Sequence, residues 1–184
     1  GSFRADATRI LRAIRYEQRL GFRLDGGTEA LLRRDRAMLD TISGDRLRKE
    51  LQLWLKEERA FRILLRAGEM EVMSAIHSPL GRAGEAVRLA MERQGEDLDE
   101  QVYVGLLAFA LTAEEGEGLI ARLRMPSRRT RVIRDTIEIK IVLSSLSAPN
   151  PSPVTVYEGL APMAPAAVRA CGLVAPDEGA SHNL

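Results

Sequence analysis

The chain has 184 residues, of which 45% are hydrophobic and 29% are charged, and its formal net charge is +1. This length and composition are ordinary for a soluble globular protein and suffice for one large domain or two small ones with a real core. The longest apolar stretch, 102–111, is too short to span a bilayer, which takes about 20 residues, so we expect no membrane partner. The single cysteine, Cys171, excludes an intramolecular disulfide and favours a reducing cytoplasm.

The small net charge conceals a strong asymmetry along the chain. Residues 69–118 contain eleven acidic residues against three arginines, whereas residues 122–140 contain seven basic residues against two acidic ones. This pattern predicts that particular helices, and not the whole surface, contact a polyanion. Nearly all of the positive charge is arginine, which fits phosphate binding and a compositional bias of the genome equally well.

Residues 3–22 predict a first helix, with Asp6 at its N-cap, where the carboxylate can accept free N–H groups of the first turn. Arg9 follows three residues later and projects from the same end. At 100° per residue, an apolar face and a basic face lie side by side on this helix. The apolar face consists of Ile10, Leu11 and Ile14, and the basic face consists of Arg12, Arg15 and Arg19.

Almost every later segment also predicts a helix, and no convincing strand or fixed-period repeat is present. The predicted helices cover 28–39, 43–57, 58–67, 69–76, 82–94, 98–111, 112–126, 127–146, 153–160 and 164–173. The predicted caps are Ser43, Thr112 (in a capping box with Glu115) and Ser127 at helix starts and Gly68 at a helix end. Arg46 and Glu50 are four residues apart and are predicted to pair along their helix. The sequence therefore predicts an all-α bundle of about nine to ten helices.

An Asp/Arg pair at a helix start has a chemical use beyond capping. A guanidinium can donate two hydrogen bonds to the acceptor edge of a base, and a carboxylate can accept one from an exocyclic amine. Cytosine and adenine both present an amine beside a ring acceptor, whereas uracil and guanine present a carbonyl there. Asp6 and Arg9 can therefore select C and A over U and G, although an Asp before a helix is most often only a cap.

The sequence around this pair, DATRILRAIRY at 6–16 and RLGFRLD at 19–25, resembles the neck of bacterial tRNA nucleotidyltransferases and poly(A) polymerases. In that family a Glu/Asp-Asp-x-x-Arg motif reads the incoming CTP or ATP. Further segments similar to the family are TEALL at 28–32, SGDRLRKEL at 43–51, AIHSPL at 75–80, LIARLRMP at 119–126 and PVTVY at 153–157. The resemblance is strong over residues 3–80 and looser to about residue 170.

The resemblance implies a role for each member of the pair and for the basic face. Asp6 and Arg9 would select the base, and Arg12 would help to hold the nucleotide. Arg15 and Arg19 would contact phosphates of RNA or of the triphosphate, with a solvated helix face as the alternative interpretation. The intact enzyme would transfer CMP and AMP to the 3′ end of tRNA and release pyrophosphate.

Two features depart from the family pattern. The acidic residue that usually precedes the motif Asp is Ala5 here, which leaves open whether the full base-reading geometry is present. The family's strand-rich catalytic head, with its Gly-Ser motif and Asp-x-Asp metal pair, does not occur in this sequence. We therefore expect no catalytic residue and no metal site in this fragment, and Mg²⁺ is expected only for the intact enzyme. Gly1 and Ser2 fit either a cloning remnant or native sequence.

The predicted helix over 127–146 is the second RNA-binding candidate. Its residues Arg128, Arg131 and Arg134 are spaced three apart and project from adjoining positions. A solvated face is nearly as good an interpretation of this spacing.

Several other residues are predicted to be structural. Trp54 has the spacing of the neighbouring apolar residues on its helix, which predicts a core position. His77 and His182 have no partner at metal-ligand spacing, so neither supports a zinc site. Cys171 follows an Ala-rich helical segment and is predicted to be buried.

We expect three regions: a neck-like helical region with the nucleotide-reading motif over 1–80, a helical body over 81–146, and a linker with short C-terminal helices and a frayed tail over 147–184. The expected partners are tRNA or another RNA 3′ end, CTP or ATP, and the missing N-terminal head. The fragment alone is expected to be inactive. The alternative is a helical RNA-binding or protein-docking module with no nucleotide-selecting role.

Overall fold

The computed structural model describes residues 3–95, 98–145 and 160–175, with side chains up to residue 142 in the second range. These residues form ten α-helices and no strand, which confirms the all-α prediction. The helices are α1 (Thr8–Leu20), α2 (Gly26–Asp35), α3 (Gly44–Leu55), α4 (Ala60–Glu69), α5 (Val72–Ile76), α6 (Gly84–Gln94), α7 (Glu100–Phe109), α8 (Ala113–Leu123), α9 (Ser127–Ser145) and α10 (Pro165–Val174). Two short 3₁₀ helices, Arg36–Thr41 and Ser78–Arg82, lie between them.

Some predictions fall on other parts of the chain. Three predicted elements lie outside the described residues: the linker over 147–153, the helix over 153–160 except for its last residue, and the frayed tail beyond 175. Among the helices that are described, none is long and apolar enough to cross a membrane.

Aliphatic side chains from α1 to α10 form one buried cluster. Helix α4 packs on α6, α3 packs on α1 and α8, and α7 packs on α6, α9 and α10. Trp54 is fully buried, as predicted, and its Nε1 donates a hydrogen bond to the carbonyl oxygen of Leu11 at 3.0 Å. This bond satisfies the one polar group of the indole and links α3 to α1 inside the core.

A buried ion pair fixes the end of α1. Arg66 on α4 donates from Nε and Nη2 to the two carboxylate oxygens of Glu17, at 2.9 and 3.3 Å, and the N–H of Leu24 also donates to Glu17. Burial by itself would raise the pKa of Glu17, but the hydrogen bonds from Arg66 and Leu24 outweigh it and lower the pKa. Arg66 also contacts Glu29 on α2, so this one guanidinium holds α1, α2 and α4 together.

The structure corrects two predicted helix boundaries, the end of α4 and the start of α5. Gly68 does not end α4, because the helix continues to Glu69 and thereby places Met70 fully in the core. The chain then turns at Glu71, whose φ of 57° is left-handed, and α5 begins at Val72. Gly68 has no close neighbour that would require a glycine, so its lack of a side chain does not decide where the helix ends.

The predicted helix starts agree more closely with the structure. The hydroxyl of Thr112 accepts from the N–H of Glu115, and the carboxylate of Glu115 accepts from the N–H of Thr112 at 2.9 Å, so the predicted capping box is confirmed. Ser43 is the N-cap residue of α3, although its side chain makes no capping hydrogen bond. Ser127 is the first helical residue of α9 and not the residue before it.

A close backbone contact joins α3 to α8 at Gly44. A Cβ at this position would lie 2.0 Å from the carbonyl oxygen of Arg122, closer than any real contact, and the obstacle is backbone that cannot rotate away. We expect Gly44→Ala to lower the free energy of unfolding by about 1–3 kcal/mol, because α8 must shift. Urea unfolding followed by circular dichroism measures this.

Gly84→Ala is the matched control for that substitution, since Gly84 also begins a helix but has nothing within 4 Å of its Cβ position. We expect it to leave stability unchanged or to raise it by about 0.4–1 kcal/mol. Equal stability of the two variants would contradict the contact at Gly44.

Candidate functional site

The start of α1 differs in detail from its predicted geometry. The helix begins at Thr8 with Ala7 as the N-cap residue, so the prediction of Asp6 as the N-cap is wrong. Asp6 instead closes a local turn, in which its Oδ1 accepts from the N–H of Thr8 at 3.1 Å and from the Thr8 hydroxyl at 2.8 Å. The N–H of Arg9 donates to the carbonyl of Asp6 at 3.1 Å. Residues 6–9 therefore form a tight turn that holds both side chains at the tip of α1.

The carboxylate of Asp6 has one occupied and one free oxygen. Arg46 on α3 donates from Nη2 to Oδ1 at 2.9 Å, so all three donors that contact Asp6 use the same oxygen. Hydrogen bonding by the Thr8 hydroxyl and N–H, together with the positive charge of Arg46, lowers the pKa of Asp6 against the opposing effect of burial. Asp6 is thus an oriented carboxylate whose Oδ2 has no partner within the ranges that the structure describes.

Arg9 is the free member of the pair. Its side chain is exposed and has no hydrogen bond or ion pair with any described residue. Most other exposed arginines on this chain contact a carboxylate, as Arg82 and Arg88 do. The turn therefore carries an unused guanidinium and an unused carboxylate oxygen on residues three apart in sequence.

Arg12, one turn further along α1, is held from one side. Its Nε donates to Oε1 of Glu50 at 2.8 Å, and the Glu50 side chain is only 8% exposed. This hydrogen bond and the charge of Glu50 raise the pKa of Arg12. The Arg12 side chain remains 47% exposed, so its terminal amino groups are available to a ligand while Nε is anchored.

The other two arginines of the predicted basic face have different environments. Arg15 is buried, donates to Glu57 at 3.2 Å, just beyond the end of α3, and lies over the ring of Tyr16. Arg19 is exposed and lies 3.7 Å from the same Glu57. The predicted continuous basic face is therefore interrupted, because Arg15 is buried and paired with Glu57. Only Arg12 and Arg19 are open to a phosphate.

Sequence reasoning missed the supporting role of α3. Arg46 and Glu50 were predicted to pair with each other, but the structure directs Arg46 to Asp6 and Glu50 to Arg12. Helical spacing cannot distinguish a pair on one helix from two contacts to a neighbouring helix. The segment 43–51 was singled out only by its family resemblance.

The arginines of α9 are also divided by their partners. Arg128 is exposed and has no partner among the described residues. Arg131 donates to the carbonyl of Pro162 at 2.5 Å. Arg134 forms two hydrogen bonds with Glu117, at 2.6 and 2.8 Å, and these raise the pKa of Arg134 and lower that of Glu117. Arg128 and Arg131 line one groove, which Arg134 does not reach.

The remaining candidates have structural partners. Nε2 of His77 lies 3.0 Å from the carbonyl oxygen of Glu115, and His182 lies outside the described residues. Burial raises the pKa of Cys171 to about 12, so this thiol is protonated at neutral pH. Within 3–95, 98–142 and 160–175, no group of three or more metal-ligating side chains comes together.

Known proteins were compared with this chain in sequence and in fold. No family model matches it. It is 39% identical over 93 residues to an A-adding tRNA nucleotidyltransferase of Geobacter sulfurreducens, a match that covers 50% of this chain and 11% of that protein. It is 29% identical over 149 residues to a CC-adding tRNA nucleotidyltransferase of the same organism, which covers 81% of this chain and 33% of that protein.

The fold agrees with these sequence matches. A CCA-adding enzyme from Thermotoga maritima, solved in complex with tRNA, superimposes with a TM-score of 0.71 and 22% identity, over 95% of this chain and 45% of that one. At this level of identity the superposition shows the fold alone. The chain spans less than half the length of each of these proteins. The resemblance to tRNA nucleotidyltransferases that the sequence motifs indicated is confirmed for this portion.

The charge of Asp6 is expected to stabilise the fold in a pH-dependent way. Because its folded-state pKa is lowered, the contribution is fully present above the unfolded value of about 3.9 and is lost as pH falls through the folded pKa. We expect Asp6→Asn to be less stable than wild type by about 0.5–1 kcal/mol at pH 7, with a smaller difference below about pH 4. Urea unfolding of both proteins at pH 7 and below about pH 4 tests this. A stability difference between Asp6→Asn and wild type that does not change with pH would contradict the ion pair with Arg46.

Proposed function

We propose that this chain is the helical, RNA- and nucleotide-binding portion of a tRNA nucleotidyltransferase or poly(A) polymerase, acting in the cytoplasm. The turn at Asp6 and Arg9 selects CTP or ATP for addition to the 3′ end of an RNA, and tRNA is the RNA we favour. The observation that carries the proposal is that one short turn holds both a carboxylate oxygen of Asp6 and the guanidinium of Arg9 without partners among the described residues. The sequence match to nucleotide-adding relatives supports it.

Base selection follows from the donor and acceptor pattern of this turn. Oδ2 of Asp6 accepts from the exocyclic amine of cytosine or adenine, and the Arg9 guanidinium donates to the adjacent ring nitrogen. Uracil and guanine would place a carbonyl oxygen against the carboxylate and an N–H against the guanidinium. Each mismatch of this kind costs about 1–3 kcal/mol. Because Ala5 supplies no second carboxylate, Asp6 alone provides the acceptor.

Neighbouring side chains keep the pair ready for this role. Arg46 and Thr8 occupy Oδ1, which leaves Oδ2 for a ligand, and they lower the pKa of the carboxylate. Glu50 anchors Nε of Arg12 and leaves its amino groups for nucleotide phosphates. Arg19 and the exposed arginine Arg128 contribute RNA phosphate contacts, and Arg131 and Arg134 contribute to the extent that RNA displaces their present partners. Arg15 supports the site from within the α1–α3 contact.

Nuclear magnetic resonance titration of the chain with CMP, AMP, UMP and GMP tests base selection directly. We expect CMP and AMP to shift the amide resonances of residues 6–9 with a Kd in the millimolar range, which is a binding free energy of about −4 kcal/mol. UMP and GMP should bind more weakly. Arg9→Gln should abolish the preference. Arg88→Gln is the control, since Arg88 is exposed and contacts only Glu85 and Glu92 on its own helix. Equal shifts with all four nucleotides would overturn the selecting role.

Transfer itself belongs to the part of the parent that this chain lacks. We expect the purified chain to add no nucleotide to tRNA in the presence of CTP, ATP and Mg²⁺, because the described residues form no cluster that could hold the metal. Denaturing gel electrophoresis with labelled nucleotide detects a single addition. Any extended product would contradict this assignment.

The second candidate function is a docking module with no nucleotide role. It is favoured by the apolar side chains at the end of α1, where Leu20 is 67% exposed and Phe22 is 45% exposed. A protein partner covering these residues would not require the free pair at Asp6 and Arg9. Absence of any selective nucleotide shift, together with RNA binding that does not depend on salt, would favour docking.

A further inference from the structure

Tyr16 lies on the exposed face of α1 that also carries Arg9 and Arg12. At 100° per residue, Tyr16 is about 20° from Arg9 and about 40° from Arg12 around the helix axis. The side chain is 41% exposed, which is unusual here, because most large apolar and aromatic residues of α1 are buried. An open aromatic ring therefore follows the two arginines along one surface.

Arg15 holds the Tyr16 ring in place. The guanidinium carbon of Arg15 lies over the ring, 4.9 Å from its centroid, and Nη2 lies 3.5 Å from the tyrosine hydroxyl. The Arg15 side chain is itself only 11% exposed and donates to Glu57 at 3.2 Å. A cation in this position attracts the ring, and burial strengthens the attraction. Arg15 thus covers one face of the ring, and the exposed part of the ring is left for a ligand.

The surface around the ring is positively charged. Arg12 and Arg19, four residues before Tyr16 and three residues after it, are both exposed. Their acidic partners Glu50 and Glu57 are largely covered, so the guanidinium groups dominate the open surface. A flat ring between two cations fits a ligand that has both a planar apolar surface and a negative charge. A nucleotide of an RNA strand has both.

The position of Tyr16 along α1 defines which part of the RNA it can reach. Seven residues separate it from Arg9, which is about 10 Å along the helix axis at 1.5 Å per residue. Stacked nucleotides of one strand are about 3.4 Å apart, so about three of them span this distance. A base at Tyr16 is therefore one of the last three of an RNA whose 3′ end meets the nucleotide at the turn of residues 6–9.

We propose that Tyr16 is a stacking platform for one of the last three bases of that RNA. Stacking on an aromatic ring tolerates every base, so Tyr16 adds affinity without choosing a sequence, in contrast to Asp6 and Arg9. The inference rests on the proposed function for the identity of the RNA. No sequence pattern assigned a role to Tyr16.

Abasic substitution in the RNA tests the stacking role. Fluorescence anisotropy compares a labelled acceptor-stem minihelix that has three single-stranded nucleotides at its 3′ end with versions that lack one of these bases. We expect wild type to bind one of the abasic RNAs about tenfold more weakly than the intact RNA, because one stacked base is lost. Tyr16→Leu should bind that pair equally, and Tyr16→Phe, which keeps the ring, should retain the difference.

Two comparisons separate stacking from other effects of the substitution. Intact and abasic RNA are compared on the same protein, so a change in its stability does not alter their ratio. Phe22→Leu is the matched control, since Phe22 is similarly exposed, at 45%, but lies beyond the end of α1. It should retain the wild-type ratio. Tyr16→Leu should also keep the wild-type slope of log K against log salt, because a tyrosine neutralises no phosphate.

Equal ratios of intact to abasic affinity in wild type and Tyr16→Leu, at all three positions, would overturn the stacking role. A lower salt slope for Tyr16→Leu would also overturn it, because the substitution would then act through the neighbouring arginines. Either result, with CMP and AMP still preferred at residues 6–9, leaves the proposed function standing. Equal shifts with all four nucleotides, with a normal abasic effect at Tyr16, would overturn only nucleotide selection.

Discussion

The contact between α1 and α3 is the constraint on which the site depends. Three side chains on one face of α3, spaced four residues apart, contact α1 or the turn before it: Arg46, Glu50 and Trp54. Glu57, two residues beyond the end of α3, contacts α1 as well. Their partners are Asp6, Arg12, the carbonyl of Leu11, and Arg15. The contacts of Glu50 and Trp54 are buried. Loss of either partner would leave an unsatisfied buried charge or donor, so these contacts favour one orientation of α1 relative to α3. Asp6 and Arg12 each use one atom in a contact to α3 and keep other polar atoms unbonded.

The first turn of α3 also connects this site to the rest of the bundle. Gly44 touches the backbone of α8, Arg48 donates to the carbonyl of Leu123 at 3.1 Å, and Asp45 binds Arg124. Residues that face α1 alternate in sequence with residues that face the turn between α8 and α9. One short segment therefore connects the turn at residues 6–9 to the start of α9. It does so through backbone contacts and ion pairs as well as through the aliphatic core.

Helical periodicity was sufficient to predict the fold class, because a helix with an apolar face must bury that face wherever it lies. The same reasoning failed where the outcome depends on a neighbouring helix. Arg15 follows the spacing of an exposed basic face but is buried and bound to Glu57. Arg46 and Glu50 follow the spacing of an i,i+4 pair but bind Asp6 and Arg12. Gly68 is a typical helix end, yet burial of Met70 extends α4 past it.

Asp6 and Arg9 could be identified as candidates by their chemistry, but which oxygen of Asp6 is free depends on Arg46, forty residues away.

The burial of Cys171 has a practical consequence. Its thiol is 1% exposed, lies 3.6 Å from the carbonyl of Thr136, and is protonated at neutral pH. A thiol-specific reagent can therefore react with it only when α10 separates from α7 and α9, either locally or by global unfolding. The labelling rate of this one natural cysteine reports how often that corner of the bundle opens, without any engineered probe.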